Sequence, residues 1–149
     1  MTEDPRPPAA AAPRSVLFLC GMNAVRSPMA SALARAVLPA ATFVASAGVK
    51  AGTRDPFVDA VMAEAGLSLG NHQPKSLEDL EDSYFDLIVT LAPEAHHRAL
   101  ELTRSMAVDV EYWPTADPTT VTGTRAQILD AYRDVRDRLS ARIAARFSG

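Results

Sequence analysis

A cysteine followed six residues later by arginine, then by serine and proline, can capture a tetrahedral oxyanion and attack it. In this chain the set is Cys20-Gly21-Met22-Asn23-Ala24-Val25-Arg26-Ser27-Pro28. The thiolate is the nucleophile, and the guanidinium fork matches two oxygens of a phosphate. The flanks place these parts. Val16-Leu17-Phe18-Leu19 is an apolar run that reads as a buried strand, and an apolar helical pattern opens at Pro28 and runs through Met29, Leu33 and Val37. Cys20 therefore ends a strand and Arg26 begins a helix. The residues between must turn, and a turn feeding a helix N-terminus aims several backbone N–H groups at one point. Such a cup suits a dianion and favours thiolate over thiol. These are the parts needed to move a phosphoryl group onto sulfur. A buried structural cysteine beside an accidental arginine is the competing reading, because cysteine is so often buried. The spacing and the strand-to-helix placement weigh against it.

The rest of the chain must frame that turn. Strand one is Ser15–Leu19, and Ser27 is placed to cap the first helix, with Pro28 at its first position and an end near Leu38. Residues 42–46 read as a second strand closed by Gly48. Phe57, Val58, Val61, Met62 and Ala65 mark a helix after Asp55-Pro56, stopped by Gly66. Residues 86–91 form a strongly apolar third strand, a helix follows over about 93–104, and the alternating residues 108–113 make a fourth strand. Ile128, Tyr132, Val135, Leu139, Ile143 and Phe147 keep a helical stripe to the end. Strands alternating with helices predict an α/β fold with a parallel sheet covered by helices on both faces. Ligands bind beyond the carboxyl ends of strands in such sheets, which is where Cys20 falls.

Composition bounds the possibilities. The 149 residues, 48% hydrophobic and 22% charged, suffice for one core and suggest one domain. A net charge of −3 supplies no global basic field, so nucleic acid is not an expected partner. One cysteine excludes an internal disulfide and any paired-cysteine metal or redox motif. No metal or organic cofactor is implied, and the oligomeric state is not legible. No apolar run spans a bilayer, so no membrane partner is expected. Met1–Arg14, with four prolines and an alanine run, reads as a disordered leader without a signal-peptide core, which makes the cytoplasm the default compartment.

The strand-terminal Cys20, with Arg26-Ser27-Pro28 at its fixed distance, resembles the low-molecular-weight protein tyrosine phosphatases and the related arsenate reductases. Cysteine phosphatases of other folds usually carry histidine before the cysteine, and here that position is Leu19. The resemblance covers about Val16 to Phe147. It implies a four-stranded parallel sheet flanked by helices, with the phosphate-binding loop after strand one and a domain from residue 15 to 149. It implies Cys20 as nucleophile, Arg26 as clamp, Asn23 as keeper of the loop shape and Ser27 as hydrogen-bond partner of the thiolate. It also implies that Ser46 and His72 support Asn23 and Ser27. The acid for the leaving group would come from an Asp-Pro pair after the fourth strand. Asp117-Pro118 stands there, on the sheet edge of Cys20, whereas Asp55-Pro56 starts a helix and reads as an N-cap or rim residue.

The departures bear on substrate. Relatives usually carry glycine two residues after the cysteine, where this chain has Met22, and a Met forced to positive φ would be strained. Val25 replaces a second cysteine just before the arginine. Thr119-Thr120 stand where tyrosine phosphatases usually carry aromatic residues, and residues 49–54 supply no aromatic wall. The leading reading is a phosphate-monoester hydrolase acting on a phosphorylated protein or small ester. Arsenate reduction with an external small thiol is the enzymatic alternative, and a non-catalytic phosphate-binding module is the alternative outside catalysis. Phosphoarginine hydrolysis ranks lower, since that branch resembles a loop with Thr at the place of Ala24. His96-His97 reads as an exposed helix pair with Glu94 and Arg98, and Trp113 as packing near the acid loop.

Overall fold

The computed structural model describes residues 13–80 and 84–147. Four strands appear, β1 (Ser15–Cys20), β2 (Phe43–Gly48), β3 (Leu87–Thr90) and β4 (Asp109–Tyr112). They are joined by α1 (Arg26–Val37), α2 (Pro56–Glu64) and α3 (Pro93–Leu102), and followed by α4 (Arg125–Phe147). The strand order is β2-β1-β3-β4 and every pairing is parallel, as expected of crossover connections that carry a helix each.

The period of two along β1 sorts its side chains. Val16, Phe18 and Cys20 face one core shared with α1, α2 and α4, while Leu17 and Leu19 face another closed by Ala95 and Ala99 of α3. Residues 16–19 are fully buried and Cys20 nearly so. Each such large side chain contributes about 1.5–3 kcal/mol, so β1 is the strand the molecule least tolerates losing. The nucleophile candidate is thus fixed to the stiffest element present.

Boundaries differ from the sequence reading in informative ways. β1 runs one residue further, to Cys20, because Gly48 extends the ladder beside it. Ser27 does not cap α1; the helix starts at Arg26, Val25 precedes it, and no side chain caps it. The Ser27 hydroxyl is turned inward instead, 2.9 Å from Cys20 Sγ, which leaves the first-turn N–H groups open. Asp55 does cap α2, accepting from the Phe57 N–H at 2.9 Å. Of the expected leader, residues 1–12 lie outside the described residues, whereas Arg14 is already tied to the sheet through Asp86 Oδ2 and the Phe43 N–H. Among the described residues no helix is long and apolar enough to cross a membrane.

Candidate active site

From β1 the chain winds outward to β2, then returns to the opposite side of β1 as β3. That reversal opens a crevice at the carboxyl end of β1, the place where such sheets bind ligands. Cys20 stands at its base.

The loop that follows is held by its carbonyls. Cys20, Gly21 and Met22 accept from the N–H groups of Val49, Lys50 and Gly52 at 3.0, 2.9 and 2.8 Å, and the Asn23 carbonyl faces His72 Nε2 at 3.0 Å. Four consecutive carbonyls are committed to the protein. The N–H groups of Met22 to Val25 have no protein partner among the described residues, and they are donors for an anion. Gly48 makes this approach possible, since a Cβ there would lie 2.6 Å from Asn23 N and 2.8 Å from Met22 C.

Asn23 carries the left-handed conformation of the loop, with φ 54°, and Met22 does not take a positive φ. The strain expected at Met22 is absent because asparagine, which tolerates this region, stands one residue on. The Asn23 amide is buried and fully used. Its Nδ2 donates to Ser27 Oγ at 2.8 Å and to Ser46 Oγ at 3.0 Å, and its Oδ1 accepts the Lys75 N–H at 2.9 Å. His72 Nε2 faces a carbonyl, so that nitrogen carries the ring proton. Burial pushes the His72 pKa down, and the nearby cations of Lys75, Arg54 and Arg35 add to this against the opposing hydrogen bond to Asn23. The ring is therefore a neutral donor at pH 7. Ser27 Oγ also lies 3.3 Å from the Ala47 carbonyl. Because Asn23 already donates to Ser27, the single Ser27 proton goes to Ala47 O when Cys20 is a thiol and to Sγ when it is a thiolate.

Two further loops complete the rim. Arg26 Nη1 donates to the Thr115 carbonyl at 3.1 Å, and its Nη2 lies 3.9 Å from Asp117 Oδ2. Asp117 Oδ1 accepts from the N–H and hydroxyl of Thr119, at 3.0 and 2.6 Å, which leaves Oδ2 toward the arginine. A cleft of about 200 Å³ is lined by Cys20, Met22, Arg26, Thr53, Asp55 and Asp117 among others. Asp55 is on the rim with both oxygens engaged, Oδ1 by Phe57 and Oδ2 by the Tyr132 hydroxyl at 2.6 Å. Burial, together with the Asp55 and Asp117 carboxylates, raises the Tyr132 pKa, so this hydroxyl stays protonated. Among the described residues no lining residue is aromatic.

The structure thus brings Cys20, Arg26 and Asp117 to one cleft and ties Asn23, Ser27, Ser46 and His72 into one network. Sequence reading missed Tyr132 as the partner of Asp55, a contact spanning 77 positions that local pattern does not announce. It also misplaced His96, which is half-buried, 3.0 Å from Thr90 Oγ1 and stacked on Tyr112 with ring centroids 4.5 Å apart. Its neighbour His97 is exposed, and Trp113 is buried against Phe18 and Phe147. Among the described residues no cluster of three or more His, Cys, Asp or Glu is suited to a metal ion.

The family model for low molecular weight phosphotyrosine protein phosphatase matches residues 15–145. An arsenate reductase of Bacillus subtilis is 30% identical over 128 residues, covering 86% of this chain and 91% of its own. The crystal structure of the Erwinia amylovora tyrosine phosphatase amsI is 26% identical, with a TM-score of 0.72 and 93% of each chain covered. A low molecular weight protein tyrosine phosphatase from T. tengcongensis is 27% identical, with a TM-score of 0.69, covering 87% of this chain and 94% of that one.

Proposed function

Because the chain belongs to the low molecular weight phosphotyrosine protein phosphatase family, we propose that it hydrolyses phosphate monoesters through a phosphocysteine on Cys20. Its substrates are phosphorylated proteins or small phosphate esters. One observation carries the reading: a thiol, a guanidinium, uncommitted loop amides and a carboxylate bound the same cleft. A pure binding module needs neither the thiol nor the carboxylate.

Cys20 Sγ attacks phosphorus in line, the phosphorus–oxygen bond to the leaving group breaks, and Asp117 delivers its proton to the departing oxygen. Arg26 and the loop amides hold the three equatorial oxygens, where preorganised donors stabilise the developing charge. The Asp117 carboxylate then takes a proton from water, which attacks phosphorus and releases the Cys20 thiolate. Asp117 fits the acid role better than Asp55, since both Asp55 oxygens already serve α2 and Tyr132. In wild type, mixing with an aryl phosphate gives a burst of phenol near one equivalent whenever phosphocysteine hydrolysis is the slower step, and acid quench traps phosphate on Cys20. Hydrolysis that survives Cys20→Ser at more than about a hundredth of the wild-type rate would overturn the covalent mechanism.

The name of the Bacillus subtilis relative favours a second reading, arsenate reduction. Cys20 is the only cysteine of the chain. An external thiol would have to attack the sulfur of an arsenocysteine, release arsenite and leave a mixed disulfide, which a second thiol then resolves.

A further inference from the structure

A second cavity, of about 360 Å³, lies behind the phosphate loop and shares no lining residue with the cleft. Its polar wall holds Arg35, Lys75, His72 and Ser46, and Leu69 and Leu80 add an apolar side. Arg35 reaches from the last turn of α1 to donate to the Val44 carbonyl at 3.1 Å, and burial of its guanidinium pushes its pKa down. Among the described residues neither Arg35 nor Lys75 has a carboxylate within ion-pair distance, and the side chains whose charges act on the His72 ring, Lys75, Arg54 and Arg35, are all cationic. Two cations on one cavity wall with no carboxylate between them repel each other, and an anion held between them relieves that repulsion. Among the described residues no lining residue is acidic.

The same wall touches the catalytic loop. His72 holds the Asn23 carbonyl, the Lys75 N–H holds Asn23 Oδ1, and Ser46 accepts from Asn23 Nδ2. Three of the lining residues are therefore three of the partners that keep Asn23 at φ 54°. We propose that this cavity is a second, regulatory anion site, which takes the phosphate group of a small phosphorylated metabolite between Arg35 and Lys75 and is coupled to the phosphate loop through Asn23. The volume exceeds that of a bare phosphate and falls at the lower end of small-ligand sites, about 300–1,000 Å³. The apolar side, Leu69 and Leu80, accommodates the organic remainder. The effect on turnover rests on the hydrolase reading; occupancy of the cavity does not.

Inorganic phosphate is the probe, followed by NMR at the His72 ring and at the backbone amides of Ala24 and Lys75. In Arg26→Ala the front site is crippled, and the Ala24 response should weaken strongly while His72 and Lys75 still shift and saturate. Adding Arg35→Gln should weaken that remaining response by about tenfold, the loss of one charge-assisted hydrogen bond. Adding Arg35→Lys to Arg26→Ala should keep most of it, which separates loss of charge from loss of fold. Disappearance of the His72 and Lys75 shifts together with the Ala24 response in Arg26→Ala would overturn the proposal, as would an unchanged saturation curve on adding Arg35→Gln. An activating or inhibiting effect of phosphorylated metabolites that Arg35→Gln abolishes would then link occupancy to turnover.

Discussion

At Cys20 the proposed chemistry depends on one sulfur 2.9 Å from one hydroxyl. Cys20→Ser removes the proposed nucleophile but leaves Arg26 and the loop amides, so vanadate or phosphate binding should stay within a few-fold while turnover falls more than about a hundredfold. Ser27→Ala removes the donor that the thiolate uses and a charge-assisted bond worth about 1.5–3 kcal/mol, so kcat should fall by tenfold or more, as steady-state rates will show. Arg26→Lys should be nearly as damaging as Arg26→Ala, since an ammonium cannot reproduce a two-pronged contact. Asp117→Asn should hurt alkyl and phenyl esters far more than esters of acidic phenols, whose leaving groups need little protonation. Equal losses across a leaving-group series would move the acid elsewhere. Burst kinetics should accompany that series, because the proposed mechanism uses Asp117 in the hydrolytic step as well.

At the scale of elements, the end of β2 shapes the phosphate loop as much as the loop's own sequence does. Gly48→Ala would drive a Cβ to 2.6 Å from Asn23 N, against backbone that has nowhere to move. Its phosphate affinity and turnover should fall by about tenfold or more. Gly66 offers the contrast: with φ 74° and open space around it, Gly66→Ala should cost about 1 kcal/mol of stability, read by denaturant melts, and leave turnover unchanged. The strand-to-helix turn at Cys20 was legible because hydrophobic period, spacing and the Pro28 signal all lie within a dozen residues. The capping of α2 by Asp55 was legible for the same reason. Ser27 was misread as a cap because a serine at a helix start has two uses, and only the buried sulfur beside it decides between them. His96 was misread because its partners, Thr90 and Tyr112, belong to two different strands. The Asp55–Tyr132 bond joins α2 to α4, and no local pattern encodes such a pairing.

For the molecule as a whole, acid should weaken the fold in two separate windows. The folded His72 pKa lies below its ordinary 6.5, so the unfolded chain binds the proton more readily. Stability is then complete above about pH 6.5 and declines as pH falls from there toward the folded value. His72→Gln should flatten that upper limb in melts recorded across pH. Lower down, Arg133 and Arg136 of α4 hold Glu64 of α2 at 2.9 and 2.8 Å and pull its pKa from 4.5 to about 2. That contribution is complete above about pH 4.5 and is lost as pH falls toward 2, and Glu64→Gln should remove it while leaving the His72 limb in place. Glu64 and Arg133 are both exposed, so the effect at neutral pH should be small.

Electron balance tests the central claim most directly. Phosphoryl transfer is redox-neutral, whereas each arsenate reduced takes two electrons, which a chain with Cys20 as its sole cysteine must draw from an external thiol. One preparation should be given an aryl phosphate and arsenate in parallel, with phenol, arsenite and remaining glutathione or mycothiol measured together. The account predicts steady phenol release without stoichiometric thiol loss, and little arsenite. Robust arsenite formation strictly dependent on the thiol, with negligible phenol release, would contradict it.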